Sequence, residues 1–134
     1  MNKSNSKFIV AALCAFFISA CAPATPEQQV YDAAQYVQKG DVELVKAAEK
    51  IDADNASSAQ RHMNKAMKDY DKAVVLLADA SLPESQEGVV DAMKKGMEHL
   101  ENAVKAIEKE DYETAEEQYS MAQSAFDAAG NMLN

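Results

Sequence analysis

Cysteine, histidine, glycine and proline are all scarce in this chain, with two, two, four and three copies in 134 residues. With cysteine only at positions 14 and 21, there is no CxxC redox pair, no disulfide framework and no CxxCH haem-attachment motif. No glycine-rich phosphate loop is present. The DxDxDG spacing of a calcium loop and the ExxH pair of a di-iron bundle are also missing. Ser81, Ser85, Ser120 and Ser124 lie in helical or turn sequence with no histidine close by, so no Ser-His-Asp set is legible. These absences point to a chain that is not an enzyme and needs no cofactor. Positive charge is also short. Thirteen Lys and Arg face 22 Asp and Glu, for a net charge of −9. Such a surface repels nucleic acid and anionic lipid. The longest apolar run, Phe8 to Ile18, falls well short of the roughly 20 residues that a helix needs to cross a bilayer.

That run belongs to an export signal over residues 1–20. Lys3 and Lys7 form a positive start without an acid, and small residues Ser19 and Ala20 follow the apolar stretch. Ile18-Ser19-Ala20-Cys21 resembles the lipobox of bacterial lipoproteins: an aliphatic residue, two small ones and a cysteine. The resemblance implies transfer of diacylglycerol to the Cys21 sulfur, cleavage between Ala20 and Cys21, and acylation of the new amino group by a palmitate-type chain. The thiolate is the nucleophile suited to forming the thioether. Two or three acyl chains, at about 0.8 kcal/mol per buried CH₂, make a lasting anchor. Cys14 lies inside the apolar run behind Leu13, which is too large for a lipobox position, and leaves with the signal. Ala22 rather than Asp after the cysteine resembles the sorting signal for the outer membrane of Gram-negative bacteria. Loss of Lys3 and Lys7 takes the charge from −9 to −11.

Residues 21–25 are then the lipidated cysteine and a tether. Its four residues, Ala22 to Thr25, reach about 14 Å at full extension. Residues 26–134 form the single remaining domain, long enough to bury a core without staples. Thr25-Pro26-Glu27-Gln28 reads as a helix start, with Thr25 as cap, Pro26 in the first turn and Gln28 closing a capping box. Val30, Ala33, Ala34 and Val37 share one face. Gly40 is expected to end this helix and Asp41 to cap a second, with Leu44, Val45, Ala48 and Ile51 inward. Asp52-Ala53-Asp54-Asn55 reads as a break.

A long helix is predicted from about Asn55 to Ala80, with the stripe Met63, Met67, Tyr70, Val74 and Leu77. Ser81-Leu82-Pro83-Glu84 reads as a turn with a capping box, and the next helix runs to about Lys109 through Val90, Met93, Met97, Leu100, Val104 and Ile107. The two helices match at constant spacing: Met63-Asn64-Lys65-Ala66-Met67 against Met93-Lys94-Lys95-Gly96-Met97. A last helix from Asp111 alternates Tyr112, Tyr119, Phe126 and Leu133 with Ala115, Ala122 and Ala129. Its stripe is about 140° out of phase with the preceding one, which predicts a turn at Glu110-Asp111. The expected fold is all-α: an antiparallel bundle of four to five helices after a cleaved signal peptide. Asp111-Tyr112, Ala115, Tyr119 and Ala122 resemble the second helix of a tetratricopeptide repeat, and Gly40-Asp41 resembles its corner, as helix-hairpin geometry.

Four methionines, Met63, Met67, Met93 and Met97, form two i,i+4 pairs on helices expected to face each other, with His62 and His99 toward the same end. Thioethers suit Cu(I), and Met/His ligation suits a b-type haem. The same methionines also fit as flexible core fillers. Glu108, Glu110, Asp111, Glu113, Glu116 and Glu117 crowd one corner, where acids also complement helix starts. Ala73 to Ala78 is apolar on more than one face. Its Val75 and Leu76 are expected either under the N-terminal helices or in an exposed patch for a partner. The functional expectation is a membrane-anchored lipoprotein with a non-enzymatic protein-interaction or envelope-assembly role, held at the periplasmic side of the outer membrane and touching the membrane through Cys21. Pilotin-type lipoproteins, small helical companions of secretins, resemble it in plan. The alternative is a periplasmic helical bundle that binds copper, haem or another small ligand.

Overall fold

The computed structural model describes residues 25–133. The signal segment, the cleavage position at Ala20 and the lipidation position at Cys21 lie outside the described residues. Four α-helices form the described fold: α1 (Pro26–Ala48), α2 (Ala56–Asp79), α3 (Val89–Glu108) and α4 (Tyr112–Leu133), with a short 3-10 turn at Glu84–Gln86. The fold is an all-α antiparallel bundle, and no strand occurs among the described residues. Two hairpins, α1–α2 and α3–α4, pack tightly within themselves. They meet along an α2–α3 seam and a slighter α1–α4 seam.

The start of α1 follows the sequence. Thr25 Oγ1 accepts from the Gln28 backbone N–H at 3.1 Å. The reciprocal half of the box does not form, because the Gln28 amide donates to Asp32 instead.

The break expected at Gly40 is absent, which leaves four of the expected four to five helices. α1 runs unbroken through Gly40 and Asp41. A Cβ at Gly40 would stand 2.6 Å from Cε1 of Tyr70. The glycine is there to let α2 lay a ring against the α1 backbone, and no turn is needed. Ser81 and Glu84 also depart from expectation. The capping box does not form, and α3 begins at Val89 without a side-chain cap. The predicted breaks at Asp52–Asn55 and Glu110–Asp111 are present. At the second, Glu110 takes the left-handed turn itself, at φ 58°. Asp111 then caps α4 by accepting from the Thr114 N–H at 3.1 Å.

The internal repeat is the hairpin. Pairing residue 40 with 96, and carrying that offset along, sets Gly40 with Gly96, Leu44 with Leu100, Ala47 with Ala103 and Ile51 with Ile107. In the second helices it sets Ala59 with Ala115, Ala66 with Ala122, Tyr70 with Phe126 and Ala73 with Ala129. All of these positions are buried. Gly96 lies against the Phe126 ring as Gly40 lies against Tyr70. The equivalent rings stack on each other at the centre, 3.7 Å between centroids and 15° from parallel. Contact between equivalent residues places an approximate two-fold axis between the hairpins. The match of Met63–Met67 with Met93–Met97 has a different origin: these segments line the two sides of one seam.

Candidate functional site

Four concave features stand out among the described residues, all on seams between helices or at one end of the bundle. The largest lies on the α2–α3 seam. Met67 and Met97 floor a groove of about 600 Å³, walled by Lys68, Asp71, Lys94, Glu98 and Glu101. The sequence-predicted methionine cluster therefore divides. Met67 and Met97 are half-buried in this groove, while Met63 and Met93 are wholly buried in the core. Two thioethers flanked by carboxylates offer soft and hard donors together. The histidines belong elsewhere. His62 bonds Glu43 of α1 at 2.7 Å through Nδ1, and His99 bonds Gln118 of α4 at 2.9 Å. Each ring ties one hairpin together, and the two bonds stand at matching places, with the histidine on the second helix of the first hairpin and on the first helix of the second. The His62 contact holds the Glu43 carboxyl below the ordinary glutamate range. No group of three or more His, Cys, Asp or Glu side chains among the described residues is arranged to hold a metal ion.

The α1–α4 seam carries the symmetry-related groove, of about 200 Å³, between Asp41, Leu44 and Val45 on one side and Gln123, Phe126 and Asp127 on the other. Its chemistry is different. Asp127 occupies the place of Asp71, but Asp41 replaces Met97 and Gln123 replaces Met67. Desolvation raises the Asp41 carboxyl above its ordinary range and outweighs the lowering effect of the Tyr70 hydroxyl, which donates to it at 2.7 Å. Burial, reinforced by that carboxylate, pushes the Tyr70 hydroxyl far above the ordinary tyrosine range. Tyr119 reaches across the same seam and donates to the Leu44 carbonyl at 2.8 Å. Burial raises its hydroxyl too, helped by Asp127 and Asp41. A neutral phenol and a carboxylate joined in this way make a structural clasp.

The third feature runs along the outer flank of the first hairpin. Asp32, Gln35, Tyr36 and Lys39 of α1 and Leu76 of α2 enclose about 350 Å³. Lys39 and Lys72 hold their ammonium groups 5.1 and 5.3 Å from the centre of the Tyr36 ring. The two lysines share this flank with Asp32, so its charge is mixed. Val75 is turned about 100° round the helix from Leu76, outside this groove, and is 56% exposed. Of the two expectations for the Ala73–Ala78 run, the structure selects exposure for Val75, since no N-terminal helix covers it. The last feature is an end groove of about 370 Å³, where the first turns of α1 (Pro26, Glu27, Val30, Tyr31) meet Ser81, Leu82, Pro83 and Gln86 of the linker.

The acidic corner lines none of these four features. Glu108, Glu110, Asp111, Glu113, Glu116 and Glu117 are all exposed around the α3–α4 turn.

Sequence reasoning missed the Tyr36 flank and the Asp41–Tyr70 clasp. Tyr70 reads as a core residue and Asp41 as a cap, and only the register between α1 and α2 brings them together. Tyr36 and Lys39, one turn apart with Lys72 still to be placed, carried the signal for the flank. No protein-family model, curated protein or solved structure matches this chain.

Proposed function

We propose that the chain is the precursor of a bacterial lipoprotein, anchored through acyl chains on Cys21 at the periplasmic side of the outer membrane, whose bundle serves a protein partner in the envelope without catalysing a reaction. The lipobox-like Ile18-Ser19-Ala20-Cys21 supports the anchor. The observation that carries the partner role is the flank of the first hairpin. There Tyr36 and Leu76 line a groove open to solvent, and Lys39 and Lys72 supply positive charge. An amphipathic acidic segment fits such a surface: apolar side chains enter the groove and carboxylates meet Lys39 and Lys72. The size and plan also suit a companion role of the kind that pilotins serve.

Affinity capture of the lipidated protein from its native membrane tests the reading. The double variant Lys39→Glu/Lys72→Glu replaces two exposed side chains of this flank, so its effect on stability should stay within about 1 kcal/mol. It is expected to deplete the captured envelope partner at least several-fold. Capture of the same proteins in the same yield by wild type and variant would remove the flank from the proposal.

A second reading has its own observation, the Met67–Met97 groove. In that reading the groove holds a soft metal ion or a small apolar molecule. Metal analysis of the captured sample decides it. Stoichiometric copper that disappears in a Met67→Leu/Met97→Leu double variant would favour this reading, whereas a metal-free protein with a partner would leave the first.

A further inference from the structure

The end groove beneath α1 has an occupant that chain length determines. The inference rests on the anchor proposed above. From Cys21 only Ala22 to Thr25 intervene before α1 begins, a reach of about 14 Å. The first turns of α1 are therefore held next to the lipid. The same end of the bundle carries the 80–88 linker, because α1 and α2 are antiparallel. Here Tyr31 is 60% exposed, and Val30, Leu82 and Pro83 line the groove with it. Tyrosine with an apolar body and a polar tip is the residue type that settles at a membrane interface. Charge narrows the surface further. The groove has Glu27 in its lining and no lysine or arginine, so anionic headgroups are unfavourable. The exposed valines of α1 stand away from this end: Val42 and Val45 lie about 16 and about 21 Å further along the helix than Tyr31.

We infer that this end groove is a seat for zwitterionic lipid headgroups, with Tyr31 and Leu82 entering the interface, so that the bundle stands on its anchor instead of swinging from it. The acyl chains supply the attachment, and the groove supplies the orientation. Seating leaves the Tyr36–Leu76 flank and both inter-hairpin seams facing the periplasm.

The chain has no tryptophan, which gives a clean probe. Tyr31→Trp and, separately, Val45→Trp each place a single indole at an exposed position. The acylated full-length proteins are reconstituted into phosphatidylethanolamine–phosphatidylcholine vesicles with brominated acyl chains, and their covalent mass is measured in parallel. Thermal melts matching wild type confirm that both variants fold. The expected result is a blue-shifted indole in the Tyr31→Trp protein that loses most of its emission to the brominated lipid, with the Val45→Trp protein unaffected. The quenching at position 31 should weaken when phosphatidylglycerol replaces the zwitterionic lipid. Quenching of neither indole in an acylated protein would overturn the seat and leave the anchor standing. Quenching of both would mean that the domain lies on its side, which also overturns it. A blue-shifted but unquenched indole at position 31 would overturn it too, and would assign the groove to the protein's own acyl chain or to a partner. A protein without acyl mass would refute the anchor, and the seat with it.

Discussion

Gly40 and Gly130 show how differently one residue type serves two places in this chain. At Gly40 a methyl group would meet the Tyr70 ring at 2.6 Å, and that ring has no room to retreat because Phe126 stacks on its other face. Gly40→Ala is expected to destabilise the fold by about 1–3 kcal/mol, the usual cost of overpacking a core. Gly130 lies inside α4 with nothing within 4 Å of an added Cβ. Gly130→Ala should stabilise by about 0.4–1 kcal/mol through the entropy of the unfolded chain. Urea unfolding of the two variants checks both signs.

Asp41 and Glu43 are two residues apart on α1 and respond to pH in opposite directions. The Asp41 carboxyl is raised from its ordinary value of 3.8. Its charged form therefore weakens the fold above the folded value, and the penalty disappears as pH falls toward 3.8. Glu43 is lowered from 4.5. It contributes stability above that value and loses it as pH falls through the folded one. Asp41→Asn keeps an acceptor for the Tyr70 hydroxyl and removes the charge. It should be more stable than wild type at neutral pH, with the advantage vanishing in acid. Glu43→Gln should be less stable at neutral pH, with the deficit vanishing in acid. Denaturation at the two pH values checks each sign.

At the scale of the element, the most informative segment is the α3–α4 turn. Glu110 holds φ 58°, a conformation that costs a non-glycine residue about 1–2 kcal/mol. Glu110→Gly should relieve that cost, less the extra freedom that glycine gives the unfolded chain. A net gain of about 0.5–1 kcal/mol is expected, measured as a higher melting temperature. This turn is legible in the sequence without a glycine, because the hydrophobic stripe breaks phase between Ile107 and Tyr112. Periodicity reports local structure faithfully, so α2, α3 and α4 can be read with their inward faces. Gly40 misleads for a physical reason. Glycine can either end a helix or admit a close neighbour, and only the position of Tyr70 on another helix decides between them. The hairpin repeat is hidden for a related reason. Its identities, such as Gly40 with Gly96 and Leu44 with Leu100, are isolated buried positions among exposed residues that differ, and size is traded at Met63 for Tyr119 and Tyr70 for Phe126. The match of Met63–Met67 with Met93–Met97, by contrast, falls within one short run that the eye finds at once. Of the candidate sites, the methionine pair facing across one seam is legible. The histidines' partners and the Tyr36 flank depend on contacts between helices that no local pattern encodes.

At the scale of the whole molecule, both ends of the bundle are acidic, with Glu27, Asp79, Glu84, Glu87 and Asp91 exposed where α1 begins. The α1 start, the 80–88 linker and the α4 end share one end, and the α1–α2 and α3–α4 turns share the other. Asp52, Asp54, Glu108, Glu110 and Asp111 sit at the second, all exposed. An anchor at Cys21 would put this tip farthest from the bilayer and the end that carries Tyr31 beside it. Cys21→Ser should leave the fold untouched, since the bundle's core lies wholly within residues 33–129. Its thermal melt should match the wild-type domain while the protein moves from the membrane fraction to the soluble periplasm. Unchanged membrane retention would refute the anchor.

The approximate two-fold between the hairpins fixes a number. Two related grooves flank the axis, one floored by Met67 and Met97 and the other edged by Asp41 and Gln123. They share an outline but not a composition, so a ligand or peptide selected by thioethers at one seam finds carboxylate and amide at the other. A molecule built twice over therefore presents each recognition surface once. Binding at either seam should saturate at one equivalent per chain.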